Sequence, residues 1–178
     1  MPIQIYVPKR IILGVAMLAW PILAAEDHPR AEVFGGFQYI RVGAAPGLGA
    51  NGFNAAITGN VNRWLGLTAD VSGAYRGVGG IGLTANTLGF GPSVALRGER
   101  VTPFAHLLLG GFRGATGFGD FSVGLTGFAM LAGGGVDVRV SKRMAVRLFQ
   151  LDWIVWNGAG MTEKKNARIS GGVVFRIN

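Results

Sequence analysis

The chain has 178 residues, no cysteine, 31 glycines and a formal charge of +8. Its length suits one domain, and the lack of thiols excludes disulfides and thiolate metal centres. Hydrophobic residues make up 49% and the mean hydropathy is +0.39, a greasy balance for which the N-terminal segment accounts only in part.

That segment places Lys9 and Arg10 before an apolar run from Ile11 to Leu23, followed by Ala24-Ala25 and the polar Glu26-Asp27-His28-Pro29. The run is shorter than the roughly 20 residues a spanning helix needs. A basic start, a short apolar core and small exit residues describe a cleavable secretory signal over residues 1–25, leaving 26–178 as the mature domain. Removing Lys9 and Arg10 takes the charge from +8 to +6. A basic balance can signal nucleic acid, but no basic helix or aromatic-basic platform is present. The anionic lipid and lipopolysaccharide of an outer membrane fit a secreted chain better.

After Leu23 no stretch is long and apolar enough to span as a helix. The pattern is period two, the signature of strands. It is clearest where Leu88, Phe90, Pro92, Val94 and Leu96 alternate with Thr87, Gly89, Gly91, Ser93, Ala95 and Arg97. Leu65, Leu67, Ala69, Val71 and Tyr75 alternate in the same way with Gly66, Thr68, Asp70, Ser72 and Ala74. Eight strands are predicted, over 32–42, 52–61, 65–75, 86–97, 103–113, 127–140, 144–156 and 167–177. Long loops at 43–51, 76–85, 114–126 and 157–166 alternate with the short turns 62–64, 98–100 and 141–143. This is the rhythm of an all-β, antiparallel, up-and-down transmembrane barrel. An even strand count puts both mature ends in the periplasm.

The facing follows from where the charges fall. A water-soluble barrel needs Lys and Glu on its outer face, but the mature lysines Lys142, Lys164 and Lys165 fall in a predicted turn and a predicted loop. The apolar face is therefore predicted to meet lipid. The small-residue face, with Asp70, Arg97, Asp137, Arg139, Asp152 and Arg176, is predicted to line a narrow lumen where charges pair. Two places resist this parity. Arg147 and Asp152 cannot both face inward without a bulge. His106 shares a face with Phe104, Leu108 and Phe112, which would aim it at lipid unless the strand is shifted. Aromatic girdles are expected at the two interfaces, from Phe37, Tyr39, Tyr75, Phe112, Trp153 and Trp156 on the loop side and Trp64, Phe104 and Phe175 on the turn side.

The last strand reads Ser170-Gly171-Gly172-Val173-Val174-Phe175-Arg176-Ile177. With Ser170, Gly172, Phe175 and Ile177 as its marks, it resembles the C-terminal signal that the barrel-assembly machinery recognises, although the chain ends in Asn178 rather than an aromatic residue. Taken with Gly35-Gly36-Phe37-Gln38-Tyr39, Pro103-Phe104 and Gln150-Leu151-Asp152-Trp153, the mature chain resembles small barrels of the outer membrane protein A-like and opacity-protein type. The resemblance implies an anchored barrel with exposed loops and no fixed activity, and a monomer is expected.

No catalytic or cofactor motif emerges. The two histidines, His28 and His106, have no partner Ser in sequence reach, there is no close His pair or calcium loop, and the glycine runs 77–80 and 133–135 lack a P-loop lysine. Gly133-Gly134-Gly135 falls inside a strand and is expected to mark a bend or close packing. Three functions stay open: a non-enzymatic surface barrel serving envelope integrity or adhesion, a narrow pore for small solutes, and a lipid A hydrolase. In the longest predicted loop, Phe118, Asp120, Phe121 and Val123 are expected either to contact a partner or to pack over the barrel mouth.

Overall fold

In a computed structural model, residues 28–43, 49–118 and 121–178 are described. The predicted signal over residues 1–25 lies outside them. Eight strands form: β1 (Ala31–Arg41), β2 (Gly49–Asn60), β3 (Leu65–Val78), β4 (Ile81–Ala95), β5 (Val101–Phe118), β6 (Phe121–Arg139), β7 (Met144–Gly158) and β8 (Met161–Ile177). Each pairs antiparallel with its chain neighbour, and β8 returns to β1, giving a closed barrel. The closing seam runs from Ala31 opposite Ile177 to Arg41 opposite Ala167. Closure leaves no open edge, which a sheet in lipid requires because unpaired backbone groups there cost several kcal/mol each.

The side chains alternate as the period-two pattern predicts. Leu67, Val71, Leu88, Phe90 and Val94 point outward, whereas Thr68, Asp70, Ser72 and Thr87 are buried inside. The outward face is apolar over the whole wall, with Phe53, Ile57, Leu107, Leu109, Leu151 and Ile169 all exposed. Water would not tolerate so continuous an apolar surface; lipid does.

On β5 the outward positions are apolar or small from Val101 to Gly111, a length that suits the roughly 9–11 residues of a tilted membrane strand, and Arg113 ends the belt. Beyond this level the structure departs from the expected loops. Three of the four predicted long loops are largely strand: β3–β4, β5–β6 and β7–β8 run on past the belt, and the first and last of these pairs turn at residues 79–80 and 159–160; Asp120 of the expected loop lies outside the described residues. Gly79 and Gly80 have φ of 57° and 83°, and Ala159 and Gly160 have φ of 49° and 76°, the left-handed pair a tight type I′ hairpin needs. Val123 sits on such an extension, fully wetted at 76% exposure, and Glu163, Lys164 and Lys165 lie in β8 rather than in a loop. The connection over residues 42–48 is the one long link on this side that keeps no strand among its described residues. The polar, Gly-rich composition that mimics a loop is what a hairpin shows once both its faces meet water.

The parity conflict in β7 is resolved by a bulge. Val136 pairs with Phe149 but Asp137 pairs with Arg147, so Leu148 is the extra residue. Leu148 and Phe149 both point outward, which lets Arg147 and Asp152 both point in.

Height along the barrel should decide how costly an outward charge is. Val71→Arg, mid-belt on β3, is expected to lose about 2–4 kcal/mol of folding free energy in bilayers, whereas Val123→Arg, on the projecting hairpin, is expected to cost almost nothing. Urea unfolding of both variants in lipid vesicles checks this, and equal tolerance would contradict the placement of the belt.

Candidate functional site

Inward positions of all eight strands converge on a narrow interior, filled in layers. The middle layer is ionic. Arg168, on β8, donates from Nε to Asp152 Oδ2 at 2.7 Å, from Nη1 to Asp70 Oδ1 at 2.9 Å and from Nη2 to Asp70 Oδ2 at 3.2 Å. One guanidinium fork thus ties β8 to β7 and to β3 across the lumen. Arg168 is 1% exposed, and Asp70 and Asp152 are each 2% exposed. Their remaining lone pairs are also used. Asn54 Nδ2 donates to Asp70 Oδ2 at 2.8 Å, and Gln150 Nε2 donates to Asp152 Oδ2 at 2.8 Å. His106 Nε2 lies 2.7 Å from Asp152 Oδ1, and Ser170 Oγ donates to Asn54 Oδ1 at 3.2 Å. Buried charge is tolerable only with such full pairing.

Toward the turn side, Arg147 donates to both Asp137 oxygens, at 2.8 and 3.1 Å, and to Gln150 Oε1 at 2.6 Å. Its guanidinium carbon also lies 4.3 Å from the Phe34 ring centroid and 4.0 Å from that of Phe104. Gln150 joins the two networks, accepting from Arg147 and donating to Asp152, and the two rings add favourable cation–π contact. Lower still, Glu32 receives Arg97 Nη2 at 2.7 Å and Arg176 Nε at 3.2 Å. Above the ionic layer the filling is apolar. Leu108, Leu131 and Ile154 are completely buried beside Ile40 and Ala74, and Phe112 stacks on Trp156 with centroids 5.1 Å apart. A cavity of about 180 Å³, lined by Ala50, Leu83, Ala85 and Trp156, opens above this layer. A separate cavity among the larger polar side chains below holds about 30 Å³.

Of the six charges expected in the lumen, Asp70, Asp137, Asp152, Arg97 and Arg176 occupy interior positions. Arg139 instead lies exposed at the turn-side rim. The centre of the network, Arg168, is absent from that sequence reading. It has the parity of Arg176, which would have found it, but it falls at the predicted start of the last strand. Three aromatics assigned to the girdles, Phe104, Phe112 and Trp156, face inward; Phe37, Tyr39, Tyr75, Trp64, Trp153 and Phe175 face out. His106 does not meet lipid: its whole face, with Leu108 and Phe112, is the inner one. Ser170 and Gly172 of the C-terminal pattern point inward, and Phe175 and Ile177 point outward.

Gly133 makes the central pairing possible. A Cβ there would collide with Asp152 Oδ1 and with the Leu151 carbonyl, so only glycine leaves the carboxylate room to reach His106. A hydrolytic site needs a nucleophile beside this His-Asp pair. Ser93 stands opposite His106 across the β4–β5 seam, and its hydroxyl oxygen accepts a hydrogen bond from the Thr68 hydroxyl at 2.9 Å. The His106 and Asp152 side chains are only 4% and 0% exposed. Among the described residues no group of three metal-ligating side chains occurs.

No protein-family profile matches the chain, and no curated protein matches it. Solved structures do. Neisserial surface protein A superposes with a TM-score of 0.63 at 12% identity, covering 83% of this chain and 96% of that one. The fold is that of small outer-membrane barrels. The attachment invasion locus protein Ail of Yersinia pestis gives 0.61 at 13% identity over 84% and 99% of the two chains, and it has also been solved with the heparin analogue sucrose octasulfate. The N-terminal β-barrel domain of Pseudomonas aeruginosa OprF gives 0.59 at 11% identity over 83% and 97%. With identities this low, the shared property is the fold.

If Arg168 is the counter-ion of two buried carboxylates, removing it alone must hurt most. Arg168→Met is expected to cost about 3–5 kcal/mol, and adding Asp70→Asn with Asp152→Asn should restore most of the loss. Unfolding midpoints in lipid vesicles test this, and a neutral Arg168→Met would contradict the network.

Proposed function

We propose that the chain is a non-enzymatic, monomeric outer-membrane barrel that presents hairpins at the cell surface, in envelope integrity or adhesion, and does not conduct. The observation that carries this reading is the filled interior. An ionic layer around Arg168 lies directly beneath an apolar layer of Leu108, Leu131 and Ile154, and all four are 0–1% exposed. Eight strands enclose a space that side chains can fill, and here two chemically different layers fill it. A solute would have to break both. The same filling separates His106 and Asp152 from any lipid substrate, which argues against lipid A hydrolysis.

Placement in the outer membrane, with both mature ends in the periplasm, rests on the apolar belt, the even strand count and the fold of the neighbours. In this reading residues 1–25 direct secretion. Ser170, Gly172, Phe175 and Ile177, on the strand that closes the barrel, address the assembly machinery, and the outer wall meets lipid and lipopolysaccharide. The adhesive variant draws on the three paired hairpins that rise past the belt, and on one neighbour being named for attachment and invasion.

Planar-bilayer recording of the folded protein decides between this reading and a narrow pore. The expected record is a flat baseline in both polarities. Steady, reproducible open levels would overturn it.

A further inference from the structure

The turn-side mouth carries cations that the interior network does not neutralise. A cavity of about 430 Å³ opens there, lined among the described residues by His28, Arg63, Arg97, Arg139 and Arg176 against one acid, Glu99. Arg97 and Arg176 are not loose surface groups. Their side chains are 7% and 4% exposed, and both are anchored on Glu32, one carboxylate for two guanidiniums. Arg97 Nη1 also donates to the Arg63 carbonyl at 2.6 Å. Yet Arg97 Nε and Arg176 Nη2 are buried and meet no acceptor among the described residues, and the ring nitrogen Nδ1 of His28 is in the same position.

A buried N–H without an acceptor is costly and rare in a folded protein. Two of them, one just past β4 and one on β8, belong to side chains held by the same anchoring acid and lining the same cavity, and are donors set for a ligand. The ligand must be an anion, because the lining is cationic in excess. It must also offer acceptors in several directions, because Arg97 follows β4 and Arg176 lies on β8. A carboxylate offers two oxygens in one plane; a tetrahedral oxyanion offers three or four around a centre. Guanidinium forks match that geometry well.

We propose that this mouth binds a phosphate-type oxyanion, free or carried on a lipid headgroup. Arg97 and Arg176 form the fixed floor, oriented by Glu32, and Arg63 and Arg139 close over the ligand from the rim. The site does not depend on whether the barrel conducts, and binding to purified protein reads it independently of membrane orientation.

Calorimetric titration of the folded protein in nonionic micelles tests this, with inorganic phosphate in one arm and dihexanoyl phosphatidylglycerol in the other. Saturable binding is expected in at least one arm. Saturation by phosphate means that the free anion suffices, and saturation by the lipid alone means that the headgroup is the ligand. Arg63→Gln with Arg139→Gln should weaken binding about tenfold, the loss of a charge-assisted contact, with the heat-modifiable gel mobility of the barrel unchanged. Lys164→Gln with Lys165→Gln, at the opposite end, should leave binding as it was. No saturation in either arm, or equal loss in both double variants, would overturn the site.

Discussion

The structure depends on one constraint: in lipid, every backbone N–H and C=O must find a partner within the sheet. The pairing of β8 with β1 meets it, from Ala31 opposite Ile177 to Arg41 opposite Ala167. The interior follows from the closure. Eight strands leave a lumen just wide enough for side chains to fill. Small inward residues such as Ala56, Ala74, Ala129 and Ala145 take part of the space, and long polar side chains take the rest. Because those side chains are cut off from bulk water, each charge needs a partner. Arg168 with Asp70 and Asp152, Arg147 with Asp137, and Glu32 with Arg97 and Arg176 are the resulting solutions.

These pairings do more than cancel charge. Arg168 bonds to strands on both sides of the lumen, and Asp70 lies 98 residues away in the chain. Such a link forms only when the wall is closed in the right register, so the network favours one closed arrangement over shifted ones. A one-residue slip would turn every inward side chain out to lipid, where these groups would be unpaired. The bulge at Leu148 shows how closely sequence and register are matched. It costs one irregularity in the ladder and aims both Arg147 and Asp152 inward.

Strand number, antiparallel order and facing were legible in the sequence because period two survives wherever one face meets lipid. The Leu88–Leu96 and Leu65–Tyr75 alternations are plain for that reason. The hairpin extensions were not legible. Above the belt both faces of a strand are wet, so Gly77 through Gly82 or Thr162 through Lys165 carry no alternation to read. Aromatic residue type misled where parity would not have: Trp156 looks like a girdle residue, yet it shares a face with Asp152 and the buried Ile154. His106 posed the same problem in reverse. Its face reads either as the lipid side or as the inner side of a shifted strand, because nothing in sequence says that Leu108 and Phe112 cap an ionic layer rather than face the bilayer.

The closing seam is the central claim, and a chain without cysteine allows it to be tested against a clean background. Gly35 and Val173 are opposed across the seam, and nothing lies within 4 Å of a Cβ at Gly35. Opposed residues of antiparallel strands stand about 4.5–5.5 Å apart, within disulfide reach. In the folded protein, G35C with V173C should oxidise to a cross-linked, reductant-sensitive form, whereas G35C with I169C should not, because Ile169 is opposed to Tyr39. Absence of the first cross-link, or equal formation of the second, would contradict the closed register and the interior built on it.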